Sequence, residues 1–231
     1  ILDGGVSPTN VSISGNGNRV AFVSGSALLV DDDGNDVADV FVRNVQAGQT
    51  RRISVASDGS EANGISRAAR ISSDGDKVVF ESSADNLVVG DSNGTNDIFV
   101  HMLSSGMTER ASVSTQGLAR DQTSSRPDLS SNGRYVVFES KGNLLDDGGE
   151  DFSFSQIWLR DMQQGTTELI SADAADLPGG SGSSFPRISA NGRWIVFRSA
   201  ATLDPEFPVL PGDAIYLHDR ETGNNRLVSL D

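Results

Sequence analysis

The sequence predicts an all-β fold, a β-propeller built of four-stranded antiparallel blades. Three observations predict it. Four segments of one kind recur along the chain, and Phe22, Phe80, Phe138 and Phe197 mark them at steps of 58, 58 and 59 residues. Two further blocks keep the same step, so three registers share one period. No stretch carries the 3.6-residue apolar period of a helix, whereas short apolar runs bounded by Gly, Asn and Asp occur throughout.

Each copy reads as four strands. The first ends just before an Asn/Asp-Gly pair: Ile13-Ser14 before Asn16-Gly17, Ile71-Ser72 before Asp74-Gly75, Leu129-Ser130 before Asn132-Gly133, and Ile188-Ser189 before Asn191-Gly192. That dipeptide predicts a tight hairpin with positive φ at both central positions. The second strand is Val20-Ala21-Phe22, Val78-Val79-Phe80, Val136-Val137-Phe138 or Ile195-Val196-Phe197. The third is Val40-Phe41-Val42, Ile98-Phe99-Val100, Ile157-Trp158-Leu159 or Ile215-Tyr216-Leu217. The fourth is Arg52-Ile53-Ser54, Arg110-Ala111-Ser112, Leu169-Ile170-Ser171 or Leu227-Val228-Ser229, reached through Gly48, Gly106, Gly165 and Gly223.

The second and third strands are apolar almost without interruption, as strands buried on both faces are. A small sheet buried on both faces needs a like sheet on each side, which is the logic of a propeller. The copies run at about 7–58, 65–116, 123–174 and 182–231 within one domain, 1–231. Four copies fit a four-bladed ring. They also fit half of a larger ring, completed by further sequence or by self-association with a second chain.

Ser-x-Asn/Asp-Gly-Arg-x-Val-x-Phe, followed by the stretch from Asn86-Leu87-Val88 through Asp91-Ser92-Asn93-Gly94 to Asp97-Ile98-Phe99-Val100, resembles the TolB-type propeller repeat of bacterial proteins. The resemblance covers nearly the whole chain. It implies a propeller whose innermost strand is the one before Asn/Asp-Gly. The family includes periplasmic partner-binding propellers, gating propellers of peptidases and secreted chains.

Composition narrows the function. The 231 residues hold 32 acids against 18 bases, a net charge of −14, which argues against nucleic-acid binding because phosphate recognition needs a basic face. No apolar run approaches the ~20 residues of a membrane span. There are no cysteines, so disulfides, thiolate metal sites and cysteine nucleophiles are excluded together. The chain opens Ile1-Leu2-Asp3-Gly4-Gly5, without Met or a leader-like segment, and the expectation is a processed protein of the periplasm or cell exterior.

Antiparallel order puts the short 1–2 and 3–4 turns on one rim and the long 2–3 loops and interblade links on the other. The long-loop rim also gathers surplus acid: Asp31, Asp32, Asp33, Asp36, Asp85, Asp91, Asp146, Asp147, Glu150, Asp151, Asp204, Glu206 and Asp213. Loops on a rigid scaffold are where binding usually sits, so function is expected there. The plainer alternative is a set of solvated turns that keep the sheet edge soluble.

Within that rim Asp91, Asn93, Thr95 and Asp97 alternate as oxygen donors in a tight loop, and Asp33, Asn35 and Asp39 match them in the first copy. Such spacing suits a structural calcium ion, although the bidentate Glu of an EF-hand is absent. The third and fourth copies depart, with Gln156 and Ala214 in the slot of Asp39 and Asp97. The competing reading is that Asp/Asn-Gly makes the turn and the Asp caps a strand.

His101 and His218 share a slot with Arg43 and Arg160, which predicts a polar, partly exposed position rather than a catalytic one. Serine is abundant, but no Gly-x-Ser-x-Gly elbow occurs, and Gly180-Ser181-Gly182-Ser183-Ser184 reads as a flexible link. Phe41, Phe99, Trp158 and Tyr216 share a slot and are expected in the interblade core. Phe152, Phe154, Phe207 and Leu210 fall outside the repeat, beside acids and the stiff Pro205, Pro208 and Pro211. They are the candidate contact patch for a partner, or else a satellite cluster folded inward.

These features predict a non-enzymatic protein-binding or scaffold propeller that works through its acidic long-loop rim, with another protein as partner. Two alternatives are an accessory propeller of a hydrolase or peptidase whose catalytic domain lies outside the chain, and a carbohydrate-binding propeller.

Overall fold

Four antiparallel sheets of four strands each make up the computed structural model, which describes residues 9–173, 175, 177–207 and 212–229; no helix occurs among them. Every sheet is a simple meander, with each strand hydrogen-bonded to the next in sequence. The chain divides into two compact units, Ile1–Ala111 and Ser112–Asp231.

The first unit holds two sheets. One is β1 (Thr9–Ile13), β2 (Arg19–Ser24), β3 (Asp39–Asn44) and β4 (Gln49–Arg52); the other is β5 (Ser66–Ile71), β6 (Lys77–Ser82), β7 (Asp97–Met102) and β8 (Thr108–Arg110). Strand β5 packs across β1, β2 and β3. Ala21, Val40 and Ile53 of the first sheet meet Ala69, Ile71, Val78, Phe80 and Phe99 of the second in one buried cluster. Phe22 stands opposite Phe41 and Phe80 opposite Phe99, with rings stacked at 5.8 and 5.9 Å.

The second unit repeats the plan. Its sheets are β9 (Ser124–Leu129), β10 (Tyr135–Ser140), β11 (Gln156–Asp161) and β12 (Thr166–Leu169), then β13 (Ser183–Ile188), β14 (Trp194–Ser199), β15 (Ala214–Asp219) and β16 (Asn224–Leu227). Strand β13 packs across β9, β10 and β11, and Val137, Ile157 and Ile170 meet Ile195, Phe197 and Tyr216. The shared aromatic slot is therefore core: Phe41, Phe99, Trp158 and Tyr216 are all fully buried. Full burial of a side chain of this size stabilises by ~2–3 kcal/mol, so these four anchor the sheets.

The first hairpin differs from the two-residue turn expected of Asn/Asp-Gly. Only the glycine takes positive φ (71° at Gly17, 80° at Gly75, 61° at Gly133, 74° at Gly192). The amide of that glycine donates to the carbonyl of the serine three residues back, in all four copies. The Asn/Asp side chain does the rest. Its oxygen accepts the Ser14, Ser72, Ser130 or Ser189 hydroxyl at 2.5–3.0 Å. It also accepts the amide two residues on. The serine hydroxyl in turn accepts the first amide of the next strand. The motif Ser-x-Asn/Asp-Gly is thus a hydrogen-bonded side-chain bracket, which explains why Ser and Asn/Asp recur with the Gly.

Each first strand carries a bulge that the sequence does not announce. The register slips in β1, β5, β9 and β13, and Asn10, Ala68, Arg126 and Phe185 sit at φ of 49–58°. Non-glycine residues adopt this conformation at a cost of order 1–3 kcal/mol.

Two further expectations are corrected. The histidine slot is buried, not partly exposed: His101 and His218 are almost wholly covered. His101 Nδ1 lies 2.9 Å from Thr108 Oγ1, and Thr108 Oγ1 donates to the Val55 carbonyl of the preceding sheet at 2.5 Å. In the second unit Arg160 bonds Thr167 and Thr167 donates to Val113; His218 contacts Asn225 Oδ1, and Asn225 Nδ2 donates to Ile170 and Ala172. In these three copies the slot is a strut tying the outer strands to the chain leaving the sheet before. Second, Gly180–Ser184 is not all linker. Ser183 and Ser184 begin β13, and the buried Ser183 hydroxyl donates to Ser199 Oγ at 2.9 Å.

Candidate functional site

In the first unit the loops between second and third strands close on buried arginines. Around Arg52 lie Asp33, Asp39 and Glu61, whose nearest carboxylate oxygens are all within 4.8 Å of one another. Arg52 Nη1 is 2.5 Å from Glu61 Oε1 and 3.7 Å from Asp33 Oδ1, and Nη2 donates to the Asp32 carbonyl. Asp39 accepts Ser54 Oγ at 2.5 Å and Asn35 Nδ2 at 2.9 Å. Burial, and then the charge of Asp39, push the Asp33 carboxyl above its ordinary range against the pull of Arg52. Burial likewise raises Asp39, opposed by its bonds from Ser54 and Asn35.

The second copy repeats the arrangement. Arg110 Nη1 reaches Asp91 Oδ1 at 2.8 Å and Asp97 Oδ2 at 3.1 Å, and all three side chains are at least nine-tenths buried. Asn93 Nδ2 donates to Asp97 Oδ2 at 2.8 Å, while Asn93 Oδ1 accepts the Thr95 amide. Burial raises Asp91 more than Arg110 lowers it. The residues proposed for calcium are thus brought together in each copy, with a guanidinium among them. The fit to a hard cation rests on two buried oxygens, Asp91 Oδ2 and Thr95 Oγ1, which have no protein hydrogen-bond partner.

Arg52 and Arg110 occupy the same repeat slot, and Asp39 and Asp97 another. Where the third and fourth copies replace the Asp by Gln156 and Ala214, they also replace the Arg by Leu169 and Leu227. Charge is lost in pairs, as burial demands. In the third copy a neutral bond takes over: Gln156 Oε1 accepts the Ser171 hydroxyl at 2.7 Å. Glu61 is a member that sequence reasoning missed, because it lies in the link after the fourth strand and has no counterpart at the same step.

The long-loop edge of each sheet is acidic, though less uniformly than expected. Asp31, Asp32, Asp36, Asp85, Asp147, Glu150, Glu206 and Asp213 are exposed; Asp33, Asp146 and Asp151 are half-buried; Asp91 and Asp204 are buried. Asp204 accepts the Leu227 and Glu206 amides, so it braces its loop. Leu28, Val89, Leu145 and Phe154, close to these acids in sequence, are exposed. Leu28, Val89 and Leu145 were missed; the available signal was an apolar residue close to the loop leucine, which is buried at Leu87, Leu144 and Leu203 and half-buried at Leu29.

Of the aromatic patch, Phe154 is exposed, Phe152 stacks on Trp158 at 6.2 Å, and Phe207 packs against the second unit's core; Leu210, with Pro208 and Pro211, lies outside the described residues. A separate cluster lies on the bulged first strands of the second unit. Arg126 and Arg198 cover the exposed Phe185 ring at 4.4 and 5.1 Å, and buried Glu139 accepts both Arg126 Nη1 and the Phe185 amide. This brace holds the strained bulge.

No family model matches the chain, and no curated protein does either. Solved structures do. TolB from Acinetobacter baumannii is 19% identical with a TM-score of 0.55, over 97% of this chain and 45% of that one. The tricorn protease is 14% identical with a TM-score of 0.58, over 100% and 22%. The β-propeller domain of the Trilobed protease from Pyrococcus furiosus, described as having an open velcro topology, is 16% identical with a TM-score of 0.55, over 96% and 56%. This chain therefore spans less than two thirds of the length of each of these three structures. Four meander sheets with a common repeat, together with these likenesses, give the chain a β-propeller fold, similar to that of TolB.

Proposed function

We propose that the chain is a binding or scaffold propeller of an exported protein, without turnover of its own, that holds another protein through its acidic long-loop edge. The supporting observation is that exposed carboxylates there lie within a few residues, in sequence, of single exposed apolar side chains: Leu28 with Asp31 and Asp32, Val89 with Asp85, and Leu145 and Phe154 with Asp147 and Glu150. An apolar contact inside a charged rim is how protein interfaces are built, and the charge steers a partner with a basic or mixed face. No helix among the described residues is long and apolar enough to cross a membrane.

Pull-down at low and high salt tests the reading, because the Debye length falls from about 10 Å at 0.1 M to about 3 Å at 1 M. Retention is expected to weaken with salt. The double variant Leu28→Ser/Asp31→Asn is expected to lose about tenfold in affinity, or ~1.4 kcal/mol. Binding indifferent to salt and to both substitutions would count against it.

A structural calcium ion belongs to the same reading, held in the Asp91–Asp97 loop with Asp91 Oδ2 and Thr95 Oγ1 as its first donors. Melting in calcium and in chelator tests it. A higher midpoint in calcium, with magnesium inert, supports the ion; superimposed curves remove it.

The likeness to the tricorn protease and to the Trilobed protease propeller favours a second reading, in which the chain is the propeller of an enzyme whose catalytic domain lies outside it. A catalytic domain on the same polypeptide would decide for that reading.

A further inference from the structure

We propose that the joint between the first and second sheets binds a small tetrahedral oxyanion, a phosphoryl group, between Arg19 and Arg51. The site lies inside the first unit, at the short-turn end of the sheets and apart from the acidic loops. Arg19 stands opposite Asn44, Asn44 opposite Gln49, and Val42 opposite Arg51, so these five side chains share one face of the first sheet. With Leu103, which follows β7, they line a cavity of about 120 Å³. Val42 and Leu103 are its apolar lining; the other four are polar, and none is an acid.

The polar lining is rich in donors. Arg19 Nη1 donates to the Gly75 carbonyl at 2.7 Å, and the rest of its guanidinium fork remains. The Arg51 side chain is exposed and has no hydrogen bond or ion pair among the described residues. Asn44 Oδ1 accepts the Ala47 amide, which leaves its Nδ2 as a donor. The acids of the facing hairpin are engaged elsewhere: Asp74 accepts Ser72 Oγ and the Asp76 amide, and Asp76 accepts Ser104.

The same joint in the second unit shows what this one lacks. There Tyr135 stands in the Arg19 slot, Glu168 in the Arg51 slot and Arg220 in the Leu103 slot. Arg220 Nη1 donates to the carbonyl of Gly192, the counterpart of Gly75, at 3.1 Å. Its guanidinium lies 4.0 Å from the centre of the Tyr135 ring, and Nη2 is 3.7 Å from Glu168 Oε1. The equivalent hairpin carbonyl thus takes a guanidinium in both joints. In the second unit the outer strand supplies a carboxylate to that guanidinium; in the first it supplies a second guanidinium instead. Two like charges on one small cavity repel, and an oxyanion between them turns the repulsion into two charge-assisted contacts. Guanidinium forks match phosphoryl oxygens, and the amides of Asn44 and Gln49 add donors on further sides, which suits a tetrahedral group over a planar carboxylate.

Calorimetric titration of the full chain with inorganic phosphate at constant ionic strength tests the proposal. One ion is expected per chain. Arg51→Gln is expected to weaken binding about tenfold. Arg51→Glu rebuilds the Glu168 arrangement with Arg19 as its partner, and is expected to bind no phosphate while keeping the wild-type circular dichroism, since the position is exposed. Arg43→Glu makes the same charge change on the opposite face of the sheet, and is expected to bind as the wild type does. Glycerol 3-phosphate separates two sources of the group: affinity equal to that of phosphate assigns the site to phosphoryl groups carried on a larger molecule, and weaker affinity assigns it to the free ion. The proposal is overturned if neither compound binds, if acetate binds as tightly as phosphate, if both folded Arg51 variants bind like the wild type, or if Arg43→Glu loses as much as Arg51→Glu.

Discussion

Arg110→Leu is expected to destabilise the first unit by about 3–5 kcal/mol, the range for removing one partner of a buried charge pair. The substitution leaves Asp91 and Asp97, both nearly inaccessible, without the guanidinium that bonds them at 2.8 and 3.1 Å. The triple variant Asp91→Asn/Asp97→Gln/Arg110→Leu should recover most of the loss. It rebuilds the solution of the third copy, where Gln156 and Leu169 stand in those slots. Both tryptophans, Trp158 and Trp194, lie in the second unit, so their fluorescence does not read this change. Hydrogen exchange of β6 and β7 does. Exchange in Arg110→Leu as slow as in the wild type would show that the pair adds nothing, and a triple variant no better than the single one would show that charge balance is not the cause.

The fold was legible because its signals are local and repeated. A continuous apolar run such as Val78-Val79-Phe80 has few uses other than a strand buried on both faces, and four copies in register exclude coincidence. The hairpin and the bulges were misread or unseen because they depend on relations across strands. Asn16 and Asp74 look like the first residue of a mirror-image turn, yet they act through their side chains. Ala68 and Phe185 have no affinity for left-handed backbone, and the Phe185 amide is held by Glu139 of the preceding sheet. The site divides in the same way. The Asp91–Asp97 and Asp33–Asp39 loops were visible by spacing. The arginines that complete them were read only as strand residues, because 13 positions separate Asp97 from Arg110 and no motif links them.

The histidine slot shows how a conservative-looking position can hide a buried group, and it carries the second large effect. Burial, followed by the charge of Arg51, depresses His101 from 6.5 to about 4, with Asp76 acting weakly the other way. Its Nδ1 faces Thr108, and its Nε2 has no protein partner to receive a proton. The unfolded chain takes up a proton near pH 6.5 while the folded one resists until about pH 4. The stabilisation from this residue is therefore complete above pH 6.5 and is lost as pH falls through that window. At about 1.36 kcal/mol per unit the loss approaches ~3 kcal/mol by pH 4. His218, also lowered by burial, adds loss of the same sign in the second unit, whereas the raised carboxyls of Asp33, Asp39 and Asp91 act in the opposite direction. Comparison with His101→Gln removes those shared contributions, because the amide keeps a neutral donor toward Thr108 and does not titrate. The difference in first-unit stability between wild type and His101→Gln, read by hydrogen exchange or urea unfolding followed by circular dichroism, should shift against the wild type by about 2 kcal/mol between pH 7 and pH 4.5. A difference that stays constant with pH would mean that the imidazole finds a proton acceptor or solvent in the folded state, and that the strut tolerates a charge.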